Sequence, residues 1–296
     1  MGCGNRKLGF VQVKIMKKIL IYGKGSYIGE HYREGLEARG HQLEMVDSLV
    51  QKPGEFSVAG YDVVINVVGI AHIKITPDME SLFYKINTDY AVDLCRLAKE
   101  SGVHQYIYMS SMNVYGDTSE CISSREQENP KNFYGKSKLL ADQRIHEMED
   151  ESFKVASVRP PVVYGKGCKG NFNPLIKVAK AAFVFPKYKN TRSMIYIDHL
   201  TNFVCQLVEN GDGGYFHPQN AAYTSTEEAV VAIRKALGKK TILIPGFGWL
   251  VKILMKCVSM ADRAFADDYY ALDFSKYKSD YCNLDYQTTI DRTVNG

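Results

Sequence analysis

The stretch Lys18-Ile19-Leu20-Ile21-Tyr22-Gly23-Lys24-Gly25-Ser26-Tyr27-Ile28-Gly29 decides the fold. Lys18 to Tyr22 is a short apolar run that stops at a glycine, the pattern of a strand buried on both faces. A helix is expected from about Tyr27 to Arg39, closed by Gly40. Between the two lies a turn that suits a dinucleotide pyrophosphate. Small residues let the phosphates approach the backbone, and the helix N-terminus offers free N–H groups and the positive end of its dipole. The strand–turn–helix context gives the glycine string its meaning. Gly23, Gly25, Ser26, Tyr27, Ile28 and Gly29 are therefore the candidate phosphate-binding residues.

Leu43 to Val46 reads as a second strand, ending at Asp47. A carboxylate there accepts hydrogen bonds from the adenosine ribose hydroxyls and repels a 2′-phosphate. No arginine stands beside it, so NAD is expected in preference to NADP. Val63–Val68, Tyr106–Ser110 and Lys154–Val158 read as further strands, with helices at roughly 77–101 and 134–149. Apolar strands alternating with helices predict an α/β fold: a Rossmann-type, doubly wound parallel sheet covered on both faces.

After Tyr164 the pattern becomes irregular, with Gly165–Gly170 rich in glycine and lysine and prolines at 174, 186, 218 and 245. We therefore expect a dinucleotide-binding domain over 16–165 that carries the catalytic residues. Residues 166–296 form a smaller, mixed, mainly substrate-binding region, some of whose strands and helices return to the core. Residues 1–15 precede Met16, lack the apolar core of a signal peptide, and are expected to be a disordered extension.

Composition narrows the function classes. With 45% hydrophobic and 24% charged residues the chain is an ordinary globular mixture, and a net charge of +4 is no nucleic-acid footprint. Seven cysteines, an odd number without a C-x-x-C pair, argue against a disulfide framework or a zinc site. Reduced thiols in the cytoplasm are the expectation, with no metal. No apolar run is long enough for a transmembrane helix. Phe247–Val258, interrupted by Lys252 and Lys256, reads as an amphipathic helix that packs on the body or on a partner subunit, membrane contact being the alternative.

Tyr134-Gly135-Lys136-Ser137-Lys138 opens a helix and sets Tyr134 and Lys138 on one face, at i and i+4. A tyrosine of pKa about 10 is a poor base at neutral pH, but an ammonium nearby and a positive nicotinamide would lower it. Tyr134 then becomes a general acid/base for a sugar hydroxyl or carbonyl. The strand from Tyr106 delivers Ser111 at its C-terminal end, where ligands bind in open parallel sheets, and Ser111 can hydrogen-bond the same reacting oxygen.

In this order the motifs resemble those of the extended short-chain dehydrogenase/reductases, the NAD-dependent epimerase/dehydratase group typified by UDP-galactose 4-epimerase. Gly23–Gly29 resembles the group's G-x-x-G-x-x-G turn, Ser110–Gly116 its S-S-x-x-V-Y-G segment, and Tyr134–Lys138 its Y-x-x-x-K. The resemblance runs from about Lys18 to at least Leu200. It implies that Tyr134 is the base, that Lys138 lowers its pKa and binds the nicotinamide ribose, and that Ser111 orients the substrate. It also implies that Val68, Gly69, Asn87 and Pro161 line the cofactor. The substrate-binding residues it implies are Asn171, Asn173 and Arg192, with Arg192 paired to a substrate pyrophosphate, and His72 and Asn113 are further substrate-binding candidates. It implies a homodimer through the helices at 88–101 and 134–149, and a nucleotide-sugar substrate, as in bacterial polysaccharide-cluster enzymes acting on UDP-sugars.

The sequence departs from that pattern in four places. Ser26 stands where the middle glycine belongs. The third strand and helix usual between Asp47 and Asp62 look shortened or missing. Met112 and Asn113 replace the Asp-Glu of 4,6-dehydratases, and Ala71-His72 stand where epimerases carry a lysine. Two enzymatic readings follow: NAD-dependent C4 epimerisation of a UDP-hexose through a transient 4-keto sugar, or an NAD(P)-dependent nucleotide-sugar dehydrogenase or 4-keto reductase. A non-catalytic dinucleotide sensor is the third, and it conflicts with the retained Tyr134 and Lys138.

Overall fold

The computed structural model describes residues 15–71, 76–116, 121–170, 172–257 and 264–296. Except for Ile15, the expected N-terminal extension lies outside them. The core is a six-stranded sheet in the order β10-β6-β4-β3-β1-β2. Its strands are β1 (Lys18–Tyr22), β2 (Gln42–Val46), β3 (Val63–Asn66), β4 (Gln105–Met109), β6 (Lys154–Val158) and β10 (Gly214–Phe216), and every pairing is parallel.

Alternation along β1 feeds two cores, one on each face. Ile19 and Ile21 pack with Tyr32 and Leu36 of α1 (Tyr27–Ala38) and with Phe203 and Leu207 of α6 (Ile197–Asn210). Leu20 and Tyr22 face Leu94 and Ala98 of α3 (Tyr90–Glu100) and Ile145 of α4 (Phe133–His146). Each of these four β1 side chains is at most 1% exposed, worth roughly 2 kcal/mol apiece by area burial.

Register fixes where the chemistry sits. Tyr22 pairs with Asn66, Asn66 with Tyr108, and Met109 with Val158. The segments starting at Gly23, Val67, Ser110 and Arg159 thus leave the sheet along one edge, the carboxyl edge where open α/β sheets bind ligands.

The shortened element between Asp47 and Asp62 contains no strand, so β2 is the edge of the sheet. The connecting loop covers the gap with side chains instead. Phe56 stacks on Tyr22 at 5.4 Å, Tyr22 donates to the Gln51 carbonyl at 3.0 Å, and Val58 and Tyr61 are buried.

The helix expected at 77–101 is composite. A short turn at Pro77–Met79, α2 (Glu80–Phe83), a wide π-helical turn at Tyr84–Asp89 and α3 follow without a break. Past α4 the chain builds a smaller lobe. There α5 (Phe172–Ala181) packs with α7 (Thr226–Ala236) and α9 (Tyr286–Asn295) in a third core, and β8 (Val184–Pro186) pairs with β11 (Ile242–Ile244). The amphipathic segment forms α8 (Gly248–Cys257), seated through Val251 and through Met255, whose sulfur lies 3.7 Å from the Tyr188 hydroxyl. The segment 166–296 returns β10 to the sheet and α6 to the face of α1. Among the described residues no helix is long and apolar enough to cross a membrane.

Candidate active site

The glycine turn is tied to the neighbouring strand. The N–H groups of Gly23 and Lys24 both donate to the Val46 carbonyl, at 2.9 and 3.0 Å. Ser26 is the N-cap of α1: its backbone is extended and its hydroxyl accepts the Gly29 N–H at 3.1 Å. The residue replacing the middle glycine thus anchors the start of the helix. Gly23 has φ +125°, and a Cβ there would lie 2.7 Å from a methyl of Val67, so only glycine fits. Asp47 follows β2 and its carboxylate accepts the Leu49 N–H at 2.8 Å. The Tyr27 ring lies tilted against His31 at 4.5 Å, and its buried hydroxyl has no partner among the described residues.

Sequence reasoning missed Glu30. Its carboxylate accepts the Gly25 N–H at 2.9 Å and an Arg33 N–H at 3.0 Å, and these bonds hold it below the usual carboxylate range. An acid within the first turn of the helix was visible in the sequence, but its reach back to the glycine loop was not.

Ser111 leaves β4 in extended backbone and caps a short 3₁₀ turn, Met112–Tyr115. Its Oγ accepts the Asn113 backbone N–H at 3.2 Å and the Asn113 side-chain amide at 3.1 Å. Helix α4 begins at Asn132, whose side chain caps the Gly135 N–H at 2.9 Å. One turn past Tyr134, Lys138 is 3% exposed and donates to the Met109 carbonyl at 2.7 Å, its ammonium 4.5 Å from the centre of the Tyr108 ring. Burial brings Lys138 down to about 7, with Asp142 opposing. Tyr134 is raised above its ordinary value by desolvation, opposed by the nearby Ser111 hydroxyl. Desolvation thus outweighs any lowering by Lys138, whose ammonium is held by the Met109 carbonyl.

The wide turn before α3 brings Asn87 inward. Asn87 accepts the Ile70 N–H at 2.8 Å and donates to the Ser137 hydroxyl at 3.0 Å, joining the loop after β3 to α4. In that loop the Val68 N–H bonds the Asn66 side chain at 2.9 Å. A Cβ on Gly69 would lie 2.8 Å from the Lys138 nitrogen and 3.2 Å from the Asn87 oxygen, so the backbone presses directly against the lysine. Pro161 is buried just past β6, next to Pro160, whose carbonyl accepts the Met112 N–H at 3.0 Å.

Beneath these residues lies a charged network that the sequence reading did not name. Ser110 donates to Asp142 at 2.7 Å, and Arg159 donates to the same oxygen at 3.0 Å. Arg159 also reaches the Tyr115 hydroxyl at 2.8 Å and Glu128 at 3.0 Å. Tyr115 meets His217 at 2.8 Å; burial and then Arg159 push that imidazole down to about 3, so it stays neutral. A signal was present: Asp142 extends the Tyr134–Lys138 stripe by one more i+4 step.

Of the expected substrate residues, His72 and Asn171 lie outside the described residues. Asn113 is exposed beside Ser111, and Asn173 is exposed at the start of α5, its amide donating to the Cys168 carbonyl. Arg192 donates to the carbonyls of Ala264 and Ala266, both at 3.3 Å, and burial lowers its pKa against Asp268 and Asp267.

A dinucleotide suits this cradle on the chain's own geometry. Gly25 has φ +76° and nothing within 4 Å of where a Cβ would stand, so the surface over the turn is open at the helix N-terminus. The fold and the Ser111, Tyr134 and Lys138 constellation define an extended short-chain dehydrogenase/reductase. Residues 19–217 match the NAD dependent epimerase/dehydratase family, and the chain belongs to that family. It is 25% identical over 277 residues to the UDP-glucose 4-epimerase of Vibrio cholerae, covering 84% of both chains. Among solved structures it resembles a dTDP-4-dehydrorhamnose reductase from Clostridium acetobutylicum (TM-score 0.76, 17% identity, 94% of this chain and 98% of that one). It also resembles the UDP-glucuronic acid 4-epimerase of Bacillus cereus in complex with NAD (TM-score 0.73, 16% identity, 94% and 95%).

Proposed function

We propose that the chain is an NAD-dependent nucleotide-sugar 4-epimerase, acting on a UDP-hexose. The observation that carries this reading is the buried Lys138, one helical turn past Tyr134 and bonded to the Met109 carbonyl at the end of β4, which next delivers Ser111. NAD would lie over Gly23–Gly29, with Asp47 at the adenosine ribose and Val68, Gly69, Asn87, Lys138 and Pro161 along its nicotinamide half. When bound, the nicotinamide supplies the hydride acceptor and, on the return, the donor. Tyr134 takes the proton from the sugar 4-hydroxyl as that carbon becomes a ketone, and gives it back to the same oxygen. Ser111 holds that oxygen. Lys138 carries the positive charge that makes the phenolate accessible once ligand fills the site. Asn173 and Arg192 are the described candidates for the nucleotide diphosphate, and Asn113, beside Ser111, is a further candidate for the substrate. The homodimer through α3 and α4 belongs to the same proposal.

Similarity to the Vibrio cholerae epimerase over most of both chains favours epimerisation over the reductase alternative, which would use the same residues and release its dinucleotide each turnover. The test is to denature protein purified without added cofactor, identify any released dinucleotide by mass spectrometry, and follow UDP-glucose and UDP-galactose by NMR with nothing added. Stoichiometric NAD(H) and interconversion are expected, with Tyr134→Phe slower by about 10²–10⁴-fold. Protein that is empty and needs added NAD(P)H to turn over would establish the reductase.

A further inference from the structure

We infer that the small lobe is a docking surface for an anionic phospholipid bilayer, which α8 contacts in the plane of the headgroups. In the stretches 172–191 and 235–257 nine lysines occur without one aspartate or glutamate, and all nine are exposed. The whole chain carries only +4, so these two stretches concentrate positive charge on a chain that is net negative elsewhere.

The same two stretches hold half of the exposed large apolar side chains among the described residues. Phe183, Val184, Ile242, Phe247, Trp249 and Ile253 are between 42% and 63% exposed. They belong to one body. β8 pairs with β11, setting Val184 beside Ile242, and Lys239 donates to the Lys180 carbonyl at 3.2 Å.

Helix α8 shows the arrangement most clearly. Val251, 2% exposed, and Met255 seat it on the lobe. Trp249, Lys252, Ile253 and Lys256 stand at i, i+3, i+4 and i+7, so they share the opposite face, and all four are exposed. Trp249 is the chain's only tryptophan and the most exposed of the six apolar residues, at 63%. An aromatic and a β-branched residue between lysines suit the boundary between headgroups and acyl chains: the rings enter the apolar layer while the ammonium groups meet lipid phosphates. The excess of lysine on these two stretches selects anionic lipid. A protein partner would be covered equally well by mixed charges, and a second copy of this lobe would meet it with like charge.

The experiment uses the full chain and vesicles of phosphatidylethanolamine with 30% phosphatidylglycerol, against vesicles of phosphatidylcholine alone. Co-sedimentation should favour the anionic vesicles by at least tenfold and weaken in 0.5 M NaCl. Trp249 fluorescence should shift to the blue and be quenched by brominated acyl chains. Lys252→Glu with Lys256→Glu should weaken binding about tenfold or more, and Ile253→Ser should remove the blue shift, while turnover of a soluble UDP-sugar without vesicles stays unchanged. Equal binding to both vesicle types, or an unshifted Trp249, overturns the inference. So does a dimer that Trp249→Ser dissolves in a protein that ignores vesicles. None of these readouts depends on which sugar reaction the active site performs.

Discussion

Lys138 donates its ammonium to the Met109 carbonyl at 2.7 Å, so the buried charge of the Tyr-x-x-x-Lys pair is anchored to the last residue of β4. Its burial gives stability a pH dependence. The folded lysine titrates near 7, against an ordinary 10.5. Between those values the unfolded chain binds a proton that the folded chain has released, so stability rises with pH through the window, by at most about 1.4 kcal/mol per unit. Below about pH 7 both states are protonated and the full burial penalty remains. Lys138→Met removes the titration and abolishes turnover. The difference in unfolding free energy, wild type minus variant, should grow from pH 6 to pH 9 in urea titrations. A flat difference would mean that the buried ammonium keeps its proton.

Gly69 tests whether the position of that ammonium matters. A methyl there would lie 2.8 Å from the lysine nitrogen, the far end of a side chain that can move. Gly69→Ala should therefore fold with a small loss of stability, about 1 kcal/mol or less, yet lower kcat about tenfold or more by displacing Lys138. Crystal structures and kinetics of the variant would decide. Unchanged kcat would mean that Lys138 acts only as a diffuse charge.

Much of this was legible beforehand because it rests on periodicity and turns. The apolar run at Lys18–Tyr22, the glycine at Gly23 and the stop at Asp47 each carry local information, and each element formed where those residues put it. The missing strand was legible as a length: too few residues separate Asp47 from Asp62 for a strand, a helix and two turns. The charged layer was not, because Ser110, Asp142 and Arg159 come from three separate segments that only the sheet register brings together. Likewise the protonation of Tyr134 depends on desolvation, which no spacing reports. The π-helical turn that aims Asn87 at the Ile70 amide has no sequence signature either.

Glu30 places a carboxylate on the Gly25 N–H, inside the loop assigned to the dinucleotide phosphates. A negative charge at that point opposes a pyrophosphate, and the opposition is screened by salt. Glu30→Gln keeps the hydrogen bond and removes the charge. Its affinity for NAD, measured by calorimetry on stripped protein, should rise about three- to tenfold at low salt and approach wild type at 0.5 M NaCl. Weaker binding by the variant would show instead that the carboxylate preorganises the turn.

Asp142 and Arg159 form the fully buried ion pair beneath the catalytic residues, at 3.0 Å, with the Ser110 hydroxyl on the same carboxylate oxygen. The other Asp142 oxygen is buried without a partner among the described residues, and burial raises this acid above its ordinary range despite Arg159. Such a pair gains little over an apolar replacement, but losing one member leaves a charge stranded. Asp142→Asn should therefore cost about 3–5 kcal/mol, read as a lower urea midpoint at unchanged slope. Arg159→Met in the same chain should recover more than half of that loss, because no uncompensated guanidinium remains. The recovered variant should still turn over slowly, since Ser110 at the end of β4 would have lost the acceptor that positions it beside Ser111. An Asp142→Asn protein as stable as wild type would mean that Asp142 is already held as the neutral acid and that Glu128 alone balances Arg159.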